Sequence, residues 1–385
     1  MKETDFLDLA QQIMPLPTAP FHEGSVAEAI RQFADQIDSL SISSDSFGNL
    51  HLLYDGLAPR SRRPPALVLT AHMDHPGLAF AGRTSQRDLL FEKLGGVQPD
   101  FARGARVRIY TVDRTSDSEF LKGKITAYIE DPKDSAHFRV RMDELSEAEA
   151  VGPGSFAMWD LEPFELRGRL LRGRACDDLA GVTVALSVLR ELDHLNAPLR
   201  VGLLLTRAEE VGFAGMIAAA VEKHLDRRAI YLNIECSSCT AGAPLGDGPV
   251  IRVGDRSWIF DSEVTAGLCS IAEELSREPT SGDSPFRYQR RLMDGGMCEA
   301  TALARAGVRT GAVALPLSNY HNHGKKRLRP EAVDLDDALS LSRLLVAAIT
   351  RSGGLTGCSR AAGRKVDQSM RARYRRYAAR LRKTS

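Results

Sequence analysis

PPALVLTAHMDHPG, residues 64–77, is a run of leucine, valine and alanine that ends abruptly in His72, Asp74 and His75. An apolar run without polar alternation is the mark of a strand buried on both faces, and such strands belong to parallel sheets covered by helices. In those sheets ligands collect at the carboxyl ends of the strands. The polar residues after Ala71 therefore mark one corner of a site, and the same signature should recur wherever another strand reaches it.

The signature does recur. In GRACDDLAGVTVAL (173–186) the pair Asp177–Asp178 stands at the entry to an apolar helix, and in GLLLTRAEEVGFAGM (202–216) an apolar strand leads to Glu209 and Glu210. AIYLNIE (229–235) closes on Glu235, and the strand at 309–316 is followed by PLSNYHNHG with His321 and His323. Between these points the pattern alternates: helix 178–194, strand 199–206, helix 213–225, strand 229–235, helices 262–276 and 297–306, strand 309–316, helix 331–351. This predicts an α/β fold with a mainly parallel central sheet covered by helices. Upstream, Val26, Ile30, Phe33, Ile37 and Leu40 fall at helical steps over 24–40, and SISSDSFGNLHLLYDG (41–56) reads as two strands around a glycine turn.

The texture changes at about 78–168. Short alternating stretches (ARVRIYTV, GKITAYIE, HFRVRMD, RGRLLRG) lie between Gly, Pro and Asp clusters, the pattern of a small β-barrel. The expected organisation is a catalytic α/β domain from 1–77 and 168–356, a β-rich insertion at 78–167, and a basic tail at 357–385. In that tail, residues 360–385 carry ten Lys/Arg against one acid. It reads either as a solvated terminal helix or frayed tail, or as a basic helix for nucleic acid or an acidic partner.

Composition sets the outer limits. The 385 residues exceed a single core, and 43% hydrophobic with 26% charged residues is ordinary for a globular protein. A net charge of +1 gives no global attraction to nucleic acid or membrane. The opening residues lack the apolar run of an export signal, and the most apolar windows fall well short of the roughly 20 residues a membrane helix needs. Six cysteines without an export signal read as free thiols in a reducing, cytoplasmic compartment; Cys236-x-x-Cys239 has no second pair with which to build a zinc knuckle.

Each polar cluster has a chemical reading. His72 and Asp74, two apart on an extended strand end, point to one side, so the carboxylate can hold the ring proton while the other ring nitrogen binds a metal. His75 falls on the opposite face. Asp178 suits a helix N-cap, whereas two adjacent carboxylates at a rigid turn repel unless a cation sits among them, so Asp177 reads as a carboxylate between two metals. Of Glu209 and Glu210, one can bind metal while the other takes a proton from water. Glu235 and one histidine of the pair His321/His323 complete two sites of mixed nitrogen and oxygen ligands.

HMDHPG, GGVQPDFARGARVRI, GKITAYI, CDDLAG, AEEVGFAG and DGGMCEATALARAGVRTGAVALPL, in this order across roughly 60–350, resemble the dinuclear-metal aminopeptidases of the glutamyl and tetrahedral aminopeptidase family. The resemblance implies that His72 binds one metal, Asp177 bridges both, Glu210 and Glu235 bind one each, Glu209 is the general base and Asp74 stands behind His72. It places the last histidine five residues after a strand-ending proline, which is Pro316 and selects His321. It further implies two divalent ions, zinc first with cobalt or manganese as the other candidates, short peptide substrates cut from the amino end, and a homo-oligomer assembled through the insertion. Residue 235 is usually Asp in these aminopeptidases and often Glu in related carboxypeptidases and deacylases. A metal-dependent carboxypeptidase, deacylase or amidase is thus the rival reading, with Arg287, Arg290 and Arg291 as candidate cations for a terminal carboxylate. A catalytically silent scaffold or binding protein is the third.

Overall fold

The computed structural model describes residues 2–56, 65–112, 119–130, 136–239, 242–278 and 285–382. A central eight-stranded sheet has the order Leu40–Ser44, Leu50–Asp55, Arg200–Thr206, Leu67–His72, Ile230–Ser238, Arg309–Leu317, Val250–Asp255, Gln289–Met293. The four middle strands, from Arg200–Thr206 to Arg309–Leu317, run parallel, while the pairings that flank them are antiparallel, so the sheet is mixed. All six residues of Leu67–His72 are buried, as the uninterrupted apolar run requires. The helix Cys176–His194 lies against this sheet, with the run Cys176–Leu189 wholly buried.

Several local readings change. A helix at Glu3–Ile13, with Phe6, Leu9 and Ile13 buried, opens the chain ahead of the amphipathic segment read from the sequence. That segment spans Gly24–Asp35 and does not reach Leu40, which opens a strand, and Asp38 and Ser39 favour a turn between the two. Val250–Asp255 and Gln289–Met293, which the sequence pattern did not reveal, extend the sheet. Residues 331–334 form a strand before the helix Leu335–Thr350 begins, because Asp334 caps that helix by accepting from the backbone of Asp336 and Asp337.

The alternating segments close into a six-stranded barrel in the order Gly77–Arg83, Asp88–Leu94, His137–Met142, Leu121–Ile129, Arg106–Tyr110, Phe156–Trp159. Leu121–Ile129 alternates buried and exposed positions at its start, so one side chain in two fills the barrel core around Phe91, Phe138 and Trp159. RGRLLRG is not part of this barrel. Its strand, Leu170–Gly173, lies between Phe164–Arg167 and Glu331–Asp334 in a separate three-stranded sheet, so the entry to Asp177 is fixed by the chain's last strand.

Candidate metal centre

Strand ends converge at one edge of the central sheet. Leu67–His72 pairs with Ile230–Ser238 only as far as Thr70 and Asn233, and beyond that point the two strands part. Ile230–Ser238 continues past Glu235, because Cys236, Ser237 and Ser238 stay paired with the strand Arg309–Leu317. Glu235 is thus a residue inside a strand, facing the crevice, and not its terminus. Asp177 enters from the three-stranded sheet, so four donors come from the central sheet and its loops and the fifth comes from outside it.

Two groups of ligand atoms share Asp177. His72, Asp177 and Glu235 form one, and Asp177, Glu210 and His321 the other, with the atoms of each group within 4.8 Å of one another. His72 Nε2 lies 3.4 Å from Asp177 Oδ1 and 3.5 Å from Glu235 Oε1. His321 Nε2 lies 3.7 Å from Asp177 Oδ2 and 3.2 Å from Glu210 Oε2. Glu209 forms a further group with His72 and Glu210, and so faces both. His323 stands apart: its Nε2 accepts from the backbone N–H of Gln98, and its ring packs 4.8 Å from that of Phe101.

The supports differ from a simple carboxylate–imidazole pair. The closer acceptor for His72 Nδ1–H is the backbone oxygen of Asp74 at 3.0 Å, with the carboxylate at 3.6 Å. The two carboxylate oxygens of Asp74 instead accept from the backbone N–H groups of Glu209 (2.9 Å) and Glu210 (3.1 Å). One residue therefore ties His72 to the Glu209–Glu210 turn. His321 Nδ1 lies 3.3 Å from the carbonyl oxygen of Gly96, which accepts its proton and leaves Nε2 for a metal. A β-carbon on Gly96 would come within 2.6 Å of that Nδ1, so glycine is required for the loop to approach the ring. Asp178 does not cap its helix; both carboxylate oxygens are buried without a hydrogen-bond partner, in space left by Gly181, where a β-carbon would sit 2.2 Å from Oδ1.

Three supporting residues escaped the sequence reading. His75 Nδ1 donates to the Asp177 carbonyl oxygen at 2.5 Å, and the fully buried Glu331 accepts from the Asp177 backbone N–H at 3.0 Å. Glu299, also fully buried, accepts from Thr206 Oγ1. A charged residue inside an otherwise apolar element was the only available signal: Glu331 in EAVDL, Glu299 in CEATAL.

The electrostatics call for cations. Burial pushes the carboxyl of Asp177 up to about 7, with His72 pulling the other way. Burial also pushes Glu209 and Asp178 well up. Burial disfavours a charged His321, yet Glu210 and Asp177 outweigh it and lift the group to about 10. Asp177 Oδ1, Glu235 Oε2 and His321 Nε2 are buried with no hydrogen-bond partner. Unpaired buried acceptors of this kind are costly, by about 1–3 kcal/mol each, unless something positive meets them. Imidazole and carboxylate donors crowded without a basic side chain among them fit divalent metal ions.

Beside the cluster opens a cleft of ≈ 410 Å³ lined by Glu209, Glu210, Glu235, Arg252, Tyr320 and the loop Met293–Met297. Arg252 is 3% exposed; its Nη1 donates to Ser237 Oγ at 3.3 Å, and its Nε has no partner. Arg287, Arg290 and Arg291 are exposed and do not line the cleft, and Arg287 and Arg291 donate to the backbone oxygens of Gly246 and Gly242.

The sequence profile of the M42 glutamyl aminopeptidase family matches residues 56–343. The chain belongs to this family. It is a metal-dependent aminopeptidase, a hydrolase. Among solved structures it is similar to TET1 of Pyrococcus horikoshii, crystallised as a dodecamer, with 25% identity, a TM-score of 0.71, and coverage of 90% of this chain and 99% of that one. It is similar to an aminopeptidase of the archaeon Desulfurococcus kamchatkensis at 24% identity and TM-score 0.72, covering 91% and 96% of the two chains. A TET aminopeptidase from a marine-sediment Thaumarchaeota archaeon shares the fold at 20% identity and TM-score 0.75, with 93% and 99% covered. Among the described residues no helix is long and apolar enough to cross a membrane.

Proposed function

We propose that this M42 peptidase removes amino-terminal residues from short peptides with two divalent ions, one held by His72, Asp177 and Glu235, the other by Asp177, Glu210 and His321. The sharing of Asp177 by two ligand groups carries this reading. Zinc suits the nitrogen and carboxylate donors, with cobalt or manganese as substitutes. When bound, the ions supply Lewis acidity for the scissile carbonyl and lower the pKa of water. Glu209, on the cleft wall and held by Asp74 through its backbone, takes a proton from the attacking water and returns it to the leaving amine. The carboxylates around the cleft receive the substrate's free ammonium group.

Arg252 supplies the preference for the residue removed. Among the described residues no carboxylate lies within 4 Å of this buried guanidinium, which lines the same cleft as the ligands. An acidic first side chain of the peptide would pair with it. The six free cysteines favour a reducing, cytoplasmic compartment. The dodecameric relative supports a homo-oligomer, with the inserted barrel as its assembly element and 78–167 as the extent of that unit.

Cleavage of Glu-, Leu- and N-acetyl-Glu-peptides by the metal-reconstituted enzyme tests the reading. Free glutamyl peptides should be cut fastest and acetylated ones hardly at all, and Arg252→Ala should erode the glutamyl preference by about 10–100-fold while sparing leucyl cleavage. Equal cleavage of acetylated peptides, with loss on C-terminal amidation, would reject amino-end attack in favour of the carboxypeptidase or deacylase reading.

A further inference from the structure

The helix Gly354–Leu381 begins on the protein and ends away from it. Its first turns pack against the helices Ser262–Leu275 and Leu335–Thr350, with Leu355 and Ser359 buried and Gly267 leaving room for the Leu355 carbonyl. From Gly363 to Tyr377 every position is exposed, as are Arg380, Leu381 and Arg382. At 1.5 Å per residue, 363–382 makes an arm roughly 30 Å long. The family match ends at residue 343, before this helix starts.

The arm exposes two surfaces, one apolar and one basic. Val366, Met370, Tyr374, Tyr377 and Leu381 recur at steps of four, four, three and four, a single apolar stripe, and are 57%, 56%, 61%, 43% and 66% exposed. Arg371, Arg373, Arg375, Arg376, Arg380 and Arg382 crowd its flanks, with Asp367 the one acid nearby. Like charges four apart, as at 371/375 and 376/380, weaken a free helix. A partner must therefore bring both apolar surface and negative charge.

The chain itself carries the complement. Removing the ten basic and one acidic residues of 360–385 from the totals of 51 and 50 leaves 41 Lys/Arg against 49 Asp/Glu, a net charge of −8 on the rest. A straight helix leading outward does not return to its own body, so the acidic surface it can reach is that of a second copy. The inserted barrel offers a matching corner in DELSEAE (143–149), four acids in seven residues, with Leu145 50% exposed beside a surface depression of ≈ 530 Å³. Glu144, Glu147 and Glu149 form no ion pair among the described residues, whereas Asp143 is held by Arg106.

We propose that the terminal helix is an intersubunit arm that docks on the Glu144–Glu149 corner of the barrel of a second copy. This rests on the homo-oligomer reading. The test compares wild type, a chain ending at Ala362, and a quadruple Arg371, Arg375, Arg376, Arg380→Glu variant, by sedimentation at about 50 and 500 mM salt, where screening lengths differ severalfold. Both variants should raise the subunit dissociation constant at least tenfold at low salt while folding and peptidase activity per assembled subunit persist, and high salt should weaken wild type alone. Adding Glu144→Arg, Glu147→Arg and Glu149→Arg to the quadruple variant should restore assembly. An oligomer indifferent to truncation and salt would overturn the arm while leaving the oligomer reading intact, and a full-length chain that stays monomeric would overturn both. Arm-dependent binding to phosphatidylglycerol vesicles or to a single-stranded RNA, with assembly unchanged, would reject the second copy as the occupant.

Discussion

The central sheet and the inserted barrel are both built of short strands, yet they hide their side chains in opposite ways. Leu67–His72 is buried at all six positions, whereas Leu121–Ile129 begins as a strict alternation of buried and exposed residues. A strand buried on both faces has no side free for solvent, so its charged residues stand at its end or in a crevice where neighbours part, while uncharged polar ones such as Thr70 and Asn233 can lie within it. The proposed metal ligands occupy that place. A barrel strand can carry a charge at every second position at no cost, and the barrel reaches the proposed ligand His321 through the loop at Gly96. Polar residues in the sheet are therefore informative one by one, while those of the barrel are informative only by position.

The contrast can be broken most sharply at the shared ligand. Asp177→Asn should leave the fold intact but reduce metal content on both sides of the cluster and abolish turnover, as read by elemental analysis and peptide cleavage; retention of two ions per chain would show that Asp177 is not the bridge. Glu209→Gln should keep its metal and lose about 10²–10⁴-fold in kcat. If metal is lost with activity, Glu209 is a ligand and the roles within the pair are exchanged.

Smaller effects belong to the barrel. Gly96→Ala should push His321 off its seat and weaken metal binding by about 10–100-fold, measured by competition with a chelator, although the substitution lies in the inserted unit. Unchanged affinity would mean that the barrel loop has no part in the site. Phe138→Ala, in the barrel core, should cost about 3–5 kcal/mol of stability in thermal or denaturant melts and leave the activity of the folded fraction as it was. A matching fall in kcat would show the two regions to be one mechanical unit.

What was legible in the sequence follows the same division. The buried strands advertised themselves through unbroken apolar runs, and all five proposed ligands stood next to such runs or next to the apolar helix after Asp177. The strand at 250–255 was hidden because Gly248, Pro249 and Gly254 break its pattern, and Arg252 was missed with it. The role of Asp74 could not be read from spacing, because its carboxylate serves backbone N–H groups 135 and 136 residues away that only the folded sheet brings near. His75 was set aside by its period-two position, yet the opposite face of that strand end is where the Asp177 carbonyl waits.

The barrel's strands are consecutive in the chain between Gly77 and Trp159, while Leu67–His72 must wait for Arg200–Thr206 and Ile230–Ser238 before it has neighbours on both sides. During synthesis the insertion can complete its own hydrogen bonds while the sheet around it is still half made. His72 leaves the ribosome long before His321 does, and the carboxylates between them emerge one by one. The five proposed ligands can be brought together only near the end of translation, once the segment carrying His321 has emerged, so a shorter nascent chain lacks the donor for one of the two proposed ions.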